Sequence, residues 1–134
     1  MKIPGETILA GRQLRIVTSL KPGLIKDRNL RIGQFPAKAS LRLPTGADGE
    51  MVVRSWRNGD RIRPFGMTGS KKLHHVFIDA KVPIEERGTI PVFECGGEIV
   101  WIPGYRVAEG WEVTTPYAPS LQICVESKNT NPIN

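Results

Sequence analysis

Fourteen glycines and eleven prolines among 134 residues leave little room for long helices. Proline fixes φ and removes a backbone donor, and glycine loses more conformational freedom on folding than any other residue, so both interrupt helices and serve turns. They are spread along the chain without a period, which excludes a collagen-like repeat. A chain of this length makes one domain, or two very small ones packed together, and can bury a core without covalent staples. The expected fold is therefore α+β, with short antiparallel strands in a sheet or sandwich and one or two short helices.

Hydrophobic periodicity places these elements. Arg12–Thr18 alternates polar and apolar side chains, the pattern of a half-buried strand, and Lys21-Pro22-Gly23 ends it. Residues 30–43 hold one or two further strands, broken by Pro36 and Pro44, and 44–49 is a loop by composition. Met51–Trp56 reads as a strand and Arg57-Asn58-Gly59-Asp60 as a turn. A helix is expected from Ser70, as N-cap, to about Lys81, with Leu73, Val76, Phe77 and Ala80 facing a core. Pro83 opens a second short helix carrying Glu85, Glu86 and Arg87. Pro91–Glu94 and Glu98–Ile102 flank Cys95-Gly96-Gly97 as a hairpin, and strands are expected at Trp111–Thr115 and Leu121–Glu126.

The formal net charge is +6, which suits a polyanionic partner or, more plainly, solubility. Cys95 and Cys124 form no CxxC pair, and His74 and His75 complete no zinc spacing. Two cysteines of this kind suggest a reduced, cytoplasmic protein. The N-terminus lacks the apolar run of a signal peptide, and no stretch is long and apolar enough to span a membrane as a helix.

At residues 54–105 the sequence becomes specific. It runs Arg54-Ser55-Trp56-Arg57-Asn58-Gly59-Asp60-Arg61-Ile62-Arg63-Pro64-Phe65-Gly66, then Lys71-Lys72-Leu73, then Phe77-Ile78-Asp79-Ala80-Lys81-Val82-Pro83, then Glu86-Arg87, Pro91 and Ile99-Val100-Trp101-Ile102-Pro103-Gly104-Tyr105-Arg106. These segments, in this order and spacing, resemble the C-terminal domain of bacterial tRNA(Ile)-lysidine synthetases. A weaker similarity begins at Ile3-Pro4-Gly5-Glu6-Thr7. Trp56 stands where the family usually has a polar or small residue. A strand-and-turn segment over 1–49 is expected to pack on a domain over 50–127, the part the resemblance identifies as the C-terminal domain, and the polar tail at 128–134 is expected to be frayed. The resemblance also implies a fold similar to a module in the beta chain of bacterial phenylalanyl-tRNA synthetase.

The family's catalytic half carries a Ser-Gly-Gly-x-Asp-Ser phosphate loop and uses ATP and Mg. No such loop occurs here, since Gly96-Gly97 is followed by neither Asp-Ser nor a helix pattern. The expectation is a domain that does not act alone. Its implied partners are the N-terminal catalytic domain of the same enzyme, the isoleucine tRNA with a CAU anticodon, and a second copy in a homodimer. No membrane partner is expected.

The window 54–87 sets eight basic side chains, Arg54, Arg57, Arg61, Arg63, Lys71, Lys72, Lys81 and Arg87, against four acidic ones. Arginine pairs bidentately with phosphate and stacks on bases, and duplex RNA is read mainly through backbone and 2′-OH. The eight are the candidate RNA-binding residues, expected to contact the tRNA acceptor stem. Each has a plainer reading as a solvated charge. Asp60 is expected to form the turn or pair with an arginine, Asp79 to cap or pair, and Trp101 to lie in the core. Trp56 and Trp111 are open between core and base stacking. Two other function classes remain. A structural or oligomerisation module would expose Ile99, Trp101 and Trp111 as an apolar patch. An independent enzyme would gather Asp60, Asp79 and a histidine in one pocket, although no nucleophile–base pattern supports it.

Overall fold

The computed structural model describes residue 1 and residues 3–25 and 31–127. Within these limits nine strands form two sheets. The strands are β1 (Gly5–Leu9), β2 (Leu14–Leu20), β3 (Ala37–Arg42), β4 (Met51–Arg54), β5 (Arg61–Ile62), β6 (Lys71–Lys72), β7 (Val92–Cys95), β8 (Glu98–Trp101) and β9 (Ser120–Ser127). The helices are α1 (Leu73–Asp79) and α2 (Ile84–Arg87). The α+β expectation of short, mostly antiparallel strands with two short helices holds.

The first sheet has the order β1-β2-β9-β3, antiparallel throughout. β2 buries Leu14, Ile16 and Thr18 on alternate positions, as its pattern predicts. β1 has no such clean signal in the sequence and is held as an edge by β2. Of the expected 30–43 stretch, the described residues 31–43 hold one strand, bounded by Pro36 and Pro44. The second sheet has the order β4-β7-β8-β5-β6. Its one parallel contact is the Ile62–Ile99 pairing of β5 with β8. Strands from 51–101 thus make one sheet. The N-terminal 49 residues supply three strands of the other, which is completed by β9 from the far end of the chain. One continuous apolar core, from Leu14 to Val125, joins the two.

Turn chemistry fixes the hairpin between β7 and β8. Gly96 and Gly97 have φ of 62° and 84°, and Cys95 pairs with Glu98 across them. Two consecutive positive φ values in a two-residue loop match the strand twist and favour glycine. The hairpin's backbone lies against the 46–49 turn, where Cys95 Sγ donates to Asp48 O at 3.6 Å.

Three expectations need correction. Ser70 is not the N-cap of α1; Lys72 is, with no side-chain cap bond, because residues 71–72 are held in extended pairing with β5. The Leu73 amide is satisfied instead by Asp60 O at 2.9 Å, and Ser70 Oγ accepts from Arg61 Nε at 2.7 Å. Ala80 is exposed rather than core, because the helix has already ended. Lys81 adopts a φ of 58°, Lys81 N donates to Ile78 O and Val82 N to Phe77 O, both at 2.9 Å. That is a Schellman closure two residues ahead of Pro83. Trp111–Thr115 forms no strand; one bridge joins Leu41 to Glu112, and the chain turns away before Pro116. The expectation of a frayed tail at 128–134 falls outside the described residues.

Candidate nucleic-acid interface

The turn at 57–60 is built by Asp60. Its carboxylate accepts from the Arg57 amide at 2.6 Å and from both terminal nitrogens of Arg54 at 2.9 and 3.0 Å. Arg54 also donates through Nε to Glu94 at 2.6 Å. Burial alone would raise the Asp60 pKa. The bonds from Arg54 and Arg57 and their charges outweigh that and hold it below its ordinary value. The Arg54 guanidinium is pushed up, first by its bond to Asp60. Asp60 is thus the arginine partner and turn-former its position suggested.

A carboxyl whose folded pKa is depressed adds stability above its unfolded pKa, and that stability is lost as pH falls through the folded value. Asp60→Asn is therefore expected to cost about 1–2 kcal/mol at neutral pH. The difference should shrink below the ordinary value of 3.8. Denaturant midpoints of both proteins between pH 7 and pH 2.5 check this; a constant difference contradicts it.

The eight basic candidates separate into groups. Arg54, with a side chain only 12% exposed, is consumed by two carboxylates. Arg87 is 7% exposed; its Nε donates to Val82 O at 3.1 Å and its guanidinium lies 5.9 Å from the Phe77 ring centre. Lys71 is bonded to Asp79, which raises the lysine pKa and lowers that of the aspartate. Lys81 lies at the opposite end of α1, lining a cleft with Arg31 and Glu86.

Arg57, Arg61, Arg63 and Lys72 remain. All four are exposed, and none forms an ion pair among the described residues. Arg61 stands opposite Lys72 in the β5–β6 register, so their side chains share a face. Exposure alternates from Arg61 through buried Ile62, exposed Arg63 and buried Pro64 to exposed Phe65. The Pro64–Ala108 bridge and the Phe65 N to Val107 O bond, 2.9 Å, keep this run extended. Lys72 also lines a concavity with Asn58, His74 and His75. Arg106 is a cation the sequence reading passed over. It donates to Phe65 O at 3.4 Å, and its charge acts on Lys71. Its only signal was its place directly after the Gly104-Tyr105 step of the motif.

The aromatic residues divide clearly. Trp101 is core, 1% exposed and 5.2 Å from the Phe93 ring centre. Trp111 is also core, at 2%; the Arg42 guanidinium lies 3.8 Å from its ring centre and its Nε1 donates to Glu98 at 3.3 Å. Trp56 is half-buried and packs edge-on against Phe77. With Ile99 at 4%, the apolar surface expected of an oligomerisation module is buried. The enzyme reading fares no better. Asp60 lines the concavity with the two histidines, but its oxygens are occupied, and Asp79 points to Lys71.

The described residues hold no cluster of three metal-ligating side chains, and no helix is long and apolar enough to cross a membrane. Nor does Gly96 fit a phosphate cradle. A Cβ on Gly96 would meet Asp48 O at 2.2 Å, so the space beside Gly96 is taken by a carbonyl oxygen, which repels rather than binds phosphate.

Known proteins agree with this architecture. A crystal structure of a TilS C-terminal domain superposes with a TM-score of 0.76 at 23% identity, covering 97% of this chain and 95% of that one. That likeness concerns the fold. Among sequences, the tRNA(Ile)-lysidine synthase of Clostridium perfringens is 33% identical over 129 residues, 95% of this chain and 25% of the relative. That of Caldanaerobacter subterraneus subsp. tengcongensis is 54% identical over 65 residues, 48% of this chain and 14% of the relative. The chain therefore spans a quarter or less of these relatives' length. The TilS substrate C-terminal domain family matches residues 51–123, more than half of the chain, and the chain belongs to that family.

Proposed function

We propose that this chain is the tRNA-contacting module of a tRNA(Ile)-lysidine synthase. The observation that carries this reading is the set of exposed cations Arg57, Arg61, Arg63 and Lys72, none in an ion pair among the described residues, with Arg61 and Lys72 mounted on the paired strands β5 and β6 and Arg57 and Arg63 flanking β5. Cations held on rigid extended backbone suit a regular phosphate array. Lys71 and Lys81 add charge at the flanks, whereas Arg54 and Arg87 support the scaffold.

In this reading the acceptor stem of the CAU-anticodon isoleucine tRNA lies on this face. A separate N-terminal domain, using ATP and Mg, carries out the ligation that converts the wobble cytidine to lysidine. Contact at one end of the tRNA raises the effective concentration of the other end at the catalytic site. Cys95 and Cys124 as reduced thiols, outside any disulfide, fit work in a reducing cytoplasm. A homodimer would need a surface other than Ile99, Trp101 and Trp111, and sedimentation checks for one.

The test is a titration of the 134-residue chain with this tRNA and with methionine tRNA at several salt concentrations. Four neutralised phosphates give a slope of log K against log salt of about −3, at roughly 0.7–0.9 per contact. A preference for the isoleucine tRNA makes the module a specificity determinant. Equal binding makes it an electrostatic clamp. No binding at low salt removes the reading.

A further inference from the structure

The exposed run Arg61-Arg63-Phe65 does not end in solvent. Phe65 is 41% exposed and lines a groove of about 260 Å³. Trp101 and Tyr105 line the groove, with Lys38 and Arg106 as its cations and Glu112 as its one carboxylate. Glu112 accepts from the Gly110 amide at 3.0 Å, so its charge is partly satisfied within its own turn. The Arg106 guanidinium lies 5.8 Å from the Tyr105 ring centre and donates to Phe65 O. Aromatic surface, a net positive lining and a cationic track leading to it therefore coincide.

We propose that this groove takes an unpaired RNA nucleobase adjoining a duplex, stacked on Phe65, with its phosphates on Arg63 and Arg106. The proposal rests on the RNA-binding reading and adds to it a site for single-stranded nucleotides. The chemistry follows from the parts. Bases stack on exposed aromatic rings whatever their identity, and arginine beside the ring contributes both charge and a second planar face. Duplex RNA presents no free base faces, so such a ring gains nothing from a paired stem. The groove is smaller than the roughly 300–1,000 Å³ that holds a drug-sized ligand, which favours one planar ring over a larger organic molecule.

The test uses a short blunt RNA duplex and the same duplex with a few unpaired nucleotides at one end, each titrated with the full chain. Wild type should bind the second at least about five-fold more tightly, the smallest gain expected from one stacked base. 2-Aminopurine placed in the overhang should change fluorescence on binding, which reports stacking itself. Phe65→Leu should lose both the preference and the signal while still binding the blunt duplex, and Phe65→Trp should keep both. Equal affinity of wild type for the two RNAs overturns the proposal, as does a preference that survives Phe65→Leu. In either case binding to the blunt duplex leaves the RNA reading standing. Binding to neither RNA overturns both.

Discussion

Gly104→Ala should be strongly destabilising, costing about 3 kcal/mol or more and lowering the unfolding midpoint by roughly 10 °C. Gly104 has a φ of 88°, and a Cβ there would sit 2.3 Å from Arg31 O and 2.7 Å from Ile32 N. Both neighbours are backbone, so no rotamer change relieves the clash. Gly96→Ala should behave alike, with Asp48 O at 2.2 Å. Gly97 supplies the control. Its φ of 84° imposes the same kind of conformational strain, but nothing lies within 4 Å of a Cβ. Gly97→Ala should therefore cost about 1–2 kcal/mol, the left-handed penalty alone. Thermal unfolding of the three variants checks the order, and equal losses would mean that backbone contact at Gly104 and Gly96 contributes nothing. At these two glycines N-terminal backbone, at 31–32 and at 48, packs directly against the chain that forms and follows the β7–β8 hairpin.

The largest expected effect on binding comes from Arg61→Glu combined with Arg63→Glu. Losing two phosphate contacts should reduce the salt slope by about 1.5–2, and the added repulsion should weaken tRNA affinity about 100-fold at low salt. Both side chains are exposed, so folding should change by only about 0.5 kcal/mol. Arg87→Ala should do the reverse. It removes a bond to Val82 O and a buried side chain beside Phe77, so the protein should unfold more readily while tRNA affinity stays within about two-fold. If the double variant binds as wild type does, the Arg61–Arg63 face is not the interface.

Much of the fold was legible because local chemistry wrote it. The Gly96-Gly97 turn, the strand around Ile16, the Pro83 start of α2 and the inward face of Leu73, Val76 and Phe77 all follow from periods and turn residues. The start of α1 was misread because Ser70 is a good cap in isolation, whereas β5 claims residues 71–72 first. Pairing between distant segments overrides local propensity.

The candidate interface shows the same division. Sequence alone determined that basic residues concentrate in 54–87, that Asp60 sits in a turn among arginines, and which family motif these residues form. It could not tell a solvated arginine from a structural one, because charge is local but burial is not. Glu94 and Asp60 converge on Arg54, and Phe77 and Val82 enclose Arg87, only once the sheet and helices are assembled. Tertiary structure likewise withdrew Trp111 into the core under Arg42 and left Phe65 in the open. Side-chain identity sets what each residue can do, and packing across the two sheets decides which of them meet solvent.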